Sequence, residues 1–193
     1  MKNIVLMGPK HSGKSTVGKL AAQMLFCPFF DLDTMIEQRS GNSPRELFLK
    51  GPEIFRLAEA ETLAAWRLSL FETPPLLPSP TALIATGGGI IDNENAMAML
   101  NSFRQAPRQS PDQIILVYLE VQTETAWQRI MESAGHQFSK LPPFLQTEDP
   151  EAAHRVLHER RAAAYRAAAD ITIRADGKSA EENARFLVGL IKN

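Results

Sequence analysis

The sequence predicts an α/β fold, a five-stranded parallel sheet with helices on both faces. Three observations point there. Short apolar runs alternate along the chain with longer stretches of helical period. Those runs are continuously apolar rather than alternating, the pattern of strands covered on both sides. The length, 193 residues with 44% hydrophobic and 22% charged side chains, suits one domain with a substantial core. Parallel strands joined through helices require right-handed crossovers, and ligands then sit at the carboxyl ends of the strands.

Taken in order, Ile4–Met7 is the first expected strand. Val17, Leu20, Ala21, Met24 and Leu25 follow at the i, i+3, i+4, i+7, i+8 spacing of a helix with one apolar stripe. Phe29–Leu32 is the second strand, and Arg56 and Glu59 fall on a helix before the third, Leu83–Thr86. Ala96, Met99, Leu100 and Phe103 mark the next helix, and Ile114–Leu119 the fourth strand. Trp127, Ile130, Met131 and Ala134 mark another helix. A long helix opens at Asp149 as N-cap with Pro150 in the first helical position, and Ile171–Ile173 is the fifth strand. Ser179 with Glu182 three residues on has capping-box spacing, opening a last helix through Ala184, Leu187, Val188 and Ile191. Residues 73–80 and 104–112 are proline-rich and read as surface loops within one domain spanning 1–193.

Composition excludes several classes. With 21 Lys and Arg against 22 Asp and Glu, the net charge of −1 gives no global reason to bind nucleic acid or a membrane surface. The apolar runs are far shorter than the roughly 20 residues that span a bilayer. Cys27 is alone, so no internal disulfide can form. The expectation is a monomeric cytoplasmic protein.

Gly8-Pro9-Lys10-His11-Ser12-Gly13-Lys14-Ser15 matches the phosphate-loop pattern G-x-x-x-x-G-K-[ST] at every fixed position, between a strand and a helix. Glycines let backbone N–H groups turn in around phosphate oxygens, and the helix N-terminus adds a positive dipole. Gly8, His11, Ser12, Gly13, Lys14, Ser15 and Thr16 are therefore candidate nucleotide-binding residues, with Lys14 on the β- and γ-phosphates and Ser15 on magnesium.

A phosphate loop does not name the reaction. Asp31 and Asp33 end the second strand two residues apart, where both would point into the crevice. They could serve a magnesium shell and an acceptor hydroxyl, or simply cap the helix over Thr34–Arg39. Gly87-Gly88-Gly89 ends a buried strand, and a tight turn would need one glycine, not three. Arg161 and Tyr165 share one helix face, and Arg161 alone reads as a solvated charge.

Together these residues resemble the shikimate kinase family over nearly the whole chain. G-P-K-H-S-G-K-S-T is similar to its phosphate loop and F-F-D-L-D-T-M-I-E to its D-x-D segment. F-R-x-x-E at 55–59 is similar to its substrate-arginine motif, G-G-G at 87–89 to its glycine triplet, and R-x-x-x-Y-x-x-x-A-D at 161–170 to its final arginine motif. The resemblance implies a nucleoside-monophosphate-kinase-like fold with a substrate-binding region at 33–66 and a lid at 132–149. It implies ATP-dependent phosphorylation of the shikimate 3-hydroxyl in aromatic amino-acid biosynthesis, with Mg2+. Lys14, Asp33 and Arg161 are the implied catalytic residues. Asp33, Arg56, Glu59, Gly87, Gly88, Gly89 and Arg161 are the implied shikimate site, with Glu59 orienting Arg56. Ser15 and Asp31 are implied on the metal, and the adenine near Asp176–Lys178 makes Lys178 a nucleotide contact.

Two departures from the family stand out. The family's lid carries an arginine before a P-L-L-like sequence, whereas here the segment reads H-Q-F-S-K-L-P-P-F-L from His136 and Pro142 takes the arginine's place. Lys140 or His136 is left to substitute. Gly51-Pro52 stands where Gly-Glu is usual. A P-loop kinase of another small hydroxy acid, or a catalytically impaired ATP- or shikimate-binding relative, therefore remains as an alternative. His154 and His158, i and i+4, read as a solvated helix face rather than zinc ligands. Cys27 reads as a small core residue, Trp66 and Trp127 as packing, and Phe48, Phe55 and Pro9 as walls of the acceptor pocket.

Overall fold

The computed structural model describes residues 3–72, 81–105 and 113–192; the proline-rich stretches, apart from Arg104 and Gln105, lie outside them. Five parallel strands form one sheet in the order β2-β3-β1-β4-β5: β1 (Asn3–Met7), β2 (Phe29–Asp31), β3 (Leu83–Ala85), β4 (Ile114–Glu120) and β5 (Ile171–Arg174). Each predicted strand is found within a residue or two of its expected limits.

The strands are buried on both faces, and their side chains sort by parity. Val5, Met7, Ile84, Leu116 and Tyr118 face one core, shared with α2 (Leu32–Ser40), α3 (Pro44–Lys50), α4 (Pro52–Glu72), α5 (Glu94–Arg104) and α7 (Pro150–Ala168). Ile4, Leu6, Leu83, Val117 and Leu119 face the other, shared with α1 (Lys14–Leu25), α6 (Thr123–Ser133) and α8 (Ala180–Lys192). Two-sided burial is why the runs contain no polar alternation. Trp66 is buried in the first core, as expected, and Cys27 is half-buried against the second.

Helix ends follow the local chemistry. Asp149 caps α7 by accepting from the Ala152 N–H at 3.0 Å, and Ser179 and Glu182 form the reciprocal pair that opens α8. Ser43 and Glu46 make a second capping box at α3. Pro52 starts α4, where its missing N–H costs nothing. The departure at Gly51-Pro52 thus gives a helix start. Among the described residues no helix is long and apolar enough to cross a membrane.

The topology positions the site. Ala85 pairs in register with both Leu6 and Asp31, so the loops leaving β1, β2 and β3 begin at one level. The chain runs from β1 out to β2, back to β3 beside β1, then across to β4, which makes the carboxyl end of β1 the switch point of the sheet.

Candidate active site

The loop after β1 turns sharply into α1. Gly13, the N-cap, has φ 92°, a left-handed conformation that glycine adopts without a Cβ penalty. His11 holds φ 59° without that freedom, a local strain of the kind stored at functional sites. The first turn of α1 carries no acidic residue, so its free N–H groups and dipole are left for an anion. Lys14 curls back under the loop and donates to the carbonyls of Gly8 (3.0 Å) and Pro9 (2.8 Å). Its burial pushes the ammonium pKa down to about 8, against the pull of Asp33 and Asp31. His11 is pushed down to about 4 by burial and by Lys10, Lys14 and Arg129, so its imidazole is neutral at pH 7.

Ser15 Oγ donates to Asp31 Oδ2 at 2.6 Å, bringing a hydroxyl and a carboxylate together at the mouth of the loop. Asp31 also caps α2, accepting from the Thr34 N–H at 3.3 Å. The capping reading of Asp31 therefore holds, and the same carboxylate also accepts from Ser15. Asp33 departs from expectation. The strand ends at Asp31 and Leu32 begins a helix, so Asp33 sits in the first turn of α2 and not on β2. It still reaches the crevice, where its Oδ1 is buried with no hydrogen-bond partner. Burial and Asp31 raise its pKa, while Lys14 and Lys10 lower it.

The glycine triplet closes the crevice floor. A Cβ on Gly88 would lie 2.6 Å from the Lys10 backbone nitrogen, so this close approach of two loops requires glycine. A Cβ on Gly87 would meet Asp33 Oδ1 and Glu59 Oε1, both at 3.1 Å, and one on Gly89 would meet Arg161 at 3.3 Å. The triplet clears space for three side chains that the sequence singled out separately.

Glu59 is buried, and Asn93 Nδ2 donates to its Oε2 at 2.9 Å while Oε1 has no partner. Burial pushes its pKa up to about 7; the Asn93 bond opposes this and the charge on Asp33 adds to it. The expected Glu59–Arg56 pairing is not found. Arg56 instead donates to Glu53 at 2.8 Å on the exposed side of α4, and Glu59 Oε1 is left unpaired. Arg161, by contrast, is no solvated charge. It is mostly buried against the triplet, with Nε and Nη2 on Asp92 Oδ2 (2.8 and 2.7 Å) and Nη1 on the Gly88 carbonyl (3.2 Å). Tyr165 donates to the same carbonyl at 3.2 Å.

These groups line a crevice of about 220 Å³ bounded by Asp33, Gly87–Gly89 and Arg161, with Phe48 and Phe55 as apolar walls. Lys10 and His11, rather than Pro9, are the phosphate-loop residues that line it, and Arg45 and Lys140 join them at the rim. Four cations against one carboxylate favour an anionic occupant. A second trough continues past the phosphate loop over Ser12, Gly13 and Thr16 to Lys178, with Arg129 along one side. Arg129 donates to the His11 carbonyl at 3.1 Å. Sequence reasoning missed it, and missed Asp92, since neither lies in a motif.

Residues 134–149 fold into two 3-10 turns, Phe138–Lys140 and Pro143–Leu145, over a small core of Ile130, Ala134, Leu141 and Leu145. Lys140 and Phe144 line the crevice, whereas His136 lies outside its lining. His154 and His158 correct an expectation, because both are buried rather than solvated. Trp127 packs on His154 (ring centroids 5.4 Å), and His158 Nε2 meets the Val121 carbonyl at 3.1 Å. Among the described residues no third His, Cys, Asp or Glu joins them in a metal-binding group.

The family model for shikimate kinase matches residues 10–192. The chain belongs to the shikimate kinase family. A shikimate kinase of Moorella thermoacetica is 36% identical over 191 residues, 98% of this chain and 94% of that protein. One from Shewanella amazonensis is 31% identical over 188 residues, 97% and 95%. Among solved structures, shikimate kinase from Acinetobacter baumannii in complex with shikimate superposes with a TM-score of 0.78 at 30% identity, covering 100% of this chain and 93% of that one. The Aquifex aeolicus enzyme gives 0.73 at 27% identity, covering 98% and 96%. Membership in this family of kinases agrees with the fold that the sheet order and phosphate loop define.

Proposed function

We propose that the chain transfers the γ-phosphoryl group of ATP to the 3-hydroxyl of shikimate, a step of aromatic amino-acid biosynthesis, and that the residues above do the work. One observation carries the assignment of roles: Asp33 lines the crevice with Arg161 and feels the charges of Lys10 and Lys14, so donor and acceptor sites meet at a carboxylate. The chemistry asks for positioning and charge neutralisation more than for covalent help.

In this reading the trough over Ser12, Gly13, Thr16 and Lys178 takes the nucleotide, and Lys14 moves from the Gly8 and Pro9 carbonyls to the phosphates. Ser15 and Asp31 offer the adjacent hard oxygen donors that suit Mg2+, which supplies charge neutralisation at the phosphates when bound. Asp33 accepts the hydroxyl proton or its hydrogen bond; its raised pKa makes it the better base. Arg161 presents its guanidinium to the shikimate carboxylate, whose planar shape it matches. Arg56 joins it once released from Glu53, an exposed pairing that holds it only weakly. Residues 33–66 form the acceptor region and 132–149 the lid, within a single monomeric cytoplasmic domain.

The alternative, an impaired relative, rests on the missing lid arginine. Lys140 on the crevice rim answers it by placing a cation on the lid segment that faces the site. The test is ADP release from Mg-ATP by the purified protein with shikimate, quinate or gluconate. Shikimate-dependent release supports the reading. ATP binding without shikimate-dependent ADP would defeat it.

A further inference from the structure

Asp92 belongs to none of the motifs, yet it is the most heavily engaged carboxylate beside the crevice. It lies in the 3-10 turn Ile90–Asp92 directly after the triplet, fixed there by its N–H on the Gly89 carbonyl at 2.9 Å. On its outer side Arg160 makes a two-pronged contact, Nη1 to Oδ1 at 2.9 Å and Nη2 to Oδ2 at 3.0 Å. On its inner side Oδ2 takes both Nε and Nη2 of Arg161.

The donor count for Arg161 is informative. A guanidinium has five N–H donors. Nε donates to Asp92 and Nη1 to the Gly88 carbonyl, with Nη2 2.7 Å from Asp92 Oδ2, which leaves donors on both terminal nitrogens. The Phe144 ring of the lid segment stands 5.7 Å from Cζ, within reach of the charge. Arg161 is thus held along one edge, tied to the triplet at another point and faced by an aromatic ring, with donors on its terminal nitrogens left at the crevice it lines. The partner that fixes the edge is Asp92, supplied by the same loop that carries Gly88 and Gly89.

We infer that Asp92 is a positioning residue for shikimate binding, holding the Arg161 guanidinium in the orientation that receives the acceptor carboxylate. The inference rests on the proposed function and adds to it a determinant of acceptor affinity. It touches neither substrate and acts through Arg161. Arg160, more than half exposed, lies on the solvent side, and an exposed ion pair of this kind contributes little.

The experiment is steady-state kinetics on the whole chain with Asp92→Asn and Asp92→Ala, with melting temperature as the check on folding. Both variants are expected to raise the shikimate KM about tenfold or more while the ATP KM stays within about twofold, because only the acceptor side loses its fixed geometry. Arg160→Ala, which removes the outer contacts and leaves Arg161 on Asp92, is expected to shift neither KM more than about twofold. In an Arg161→Ala background Asp92→Asn is expected to add no further loss of shikimate kcat/KM beyond about twofold, since the group it positions is gone. An unchanged or lowered shikimate KM in folded Asp92→Asn overturns the inference and leaves the kinase reading standing. Full additivity with Arg161→Ala, or an equal rise in both KM values, overturns it too. A wild-type protein that neither turns over nor binds shikimate removes the functional reading and this inference together.

Discussion

Replacing Glu59 by glutamine should stabilise the free protein at neutral and higher pH. Glu59 is 1% exposed, one of its oxygens has no partner, and its pKa is raised to about 7 from an ordinary 4.5. Its Oε1 and Asp33 Oδ1 lie the same 3.1 Å from the point above Gly87, which keeps them within about 6 Å, close enough for like charges to disfavour each other. The sign follows from proton counting. Between pH 4.5 and 7 the folded protein keeps a proton on Glu59 that the unfolded chain has lost, so stability falls as pH rises through this window. The contribution is fully present below 4.5 and fully lost above 7. A shift of that size corresponds to about 3 kcal/mol over the whole window, and about 2–3 kcal/mol of it falls between pH 5 and 8. Urea unfolding followed by the fluorescence of Trp66 and Trp127, at intervals from pH 5 to 8, measures it for both proteins. Glu59→Gln should gain on wild type by about 2–3 kcal/mol across that range. A difference that stays flat with pH refutes the reasoning.

Other outcomes follow from the same geometry. Lys14→Met should cut shikimate-dependent ADP release by about 10²–10³, the usual loss for one preorganised donor, with an unchanged circular dichroism spectrum. Gly88→Ala should destabilise the fold by about 1–3 kcal/mol in denaturant titration, because its Cβ would press on the Lys10 backbone and not on a yielding side chain. Lys140→Ala should lower kcat about tenfold, and Pro142→Arg in that background should restore it, since an arginine on the transferring phosphoryl is worth more than a lysine. His154, pushed down to about 4 by its burial and by His158, acts oppositely to Glu59: its contribution is present above the ordinary histidine pKa of 6.5 and is lost as pH falls toward 4. His154→Phe should flatten that acid limb of the stability profile.

The strands were legible because two-sided burial leaves an unbroken apolar run, and the phosphate loop because its spacing has few other uses. The boundary at Asp31 was not legible. Leu32 is apolar whether it ends a strand or starts a helix, and only the Asp31 cap that opens α2 at Leu32 decides the matter. That one boundary moved Asp33 from a strand to a helical turn. The histidines misled for a different reason. Two polar residues four apart on a helix read as solvated until Trp127 and the Val121 carbonyl, brought in from α6 and the end of β4, cover them. Asp92 and Arg129 act through partners 69 and 118 residues away, distances at which no local pattern carries a signal.

The small core under residues 134–149 separates two jobs that one segment performs. Leu141 and Leu145 hold residues 134–149 to α6, while Lys140, Pro142 and Phe144 face the crevice without entering that core. Charge on the rim can therefore drift among neighbouring positions without unravelling the scaffold that presents it. A cation at position 140 or at position 142 would leave the same two leucines in place. This part of the molecule is thus free to vary while the glycine triplet, wedged between three side chains and a backbone, is not.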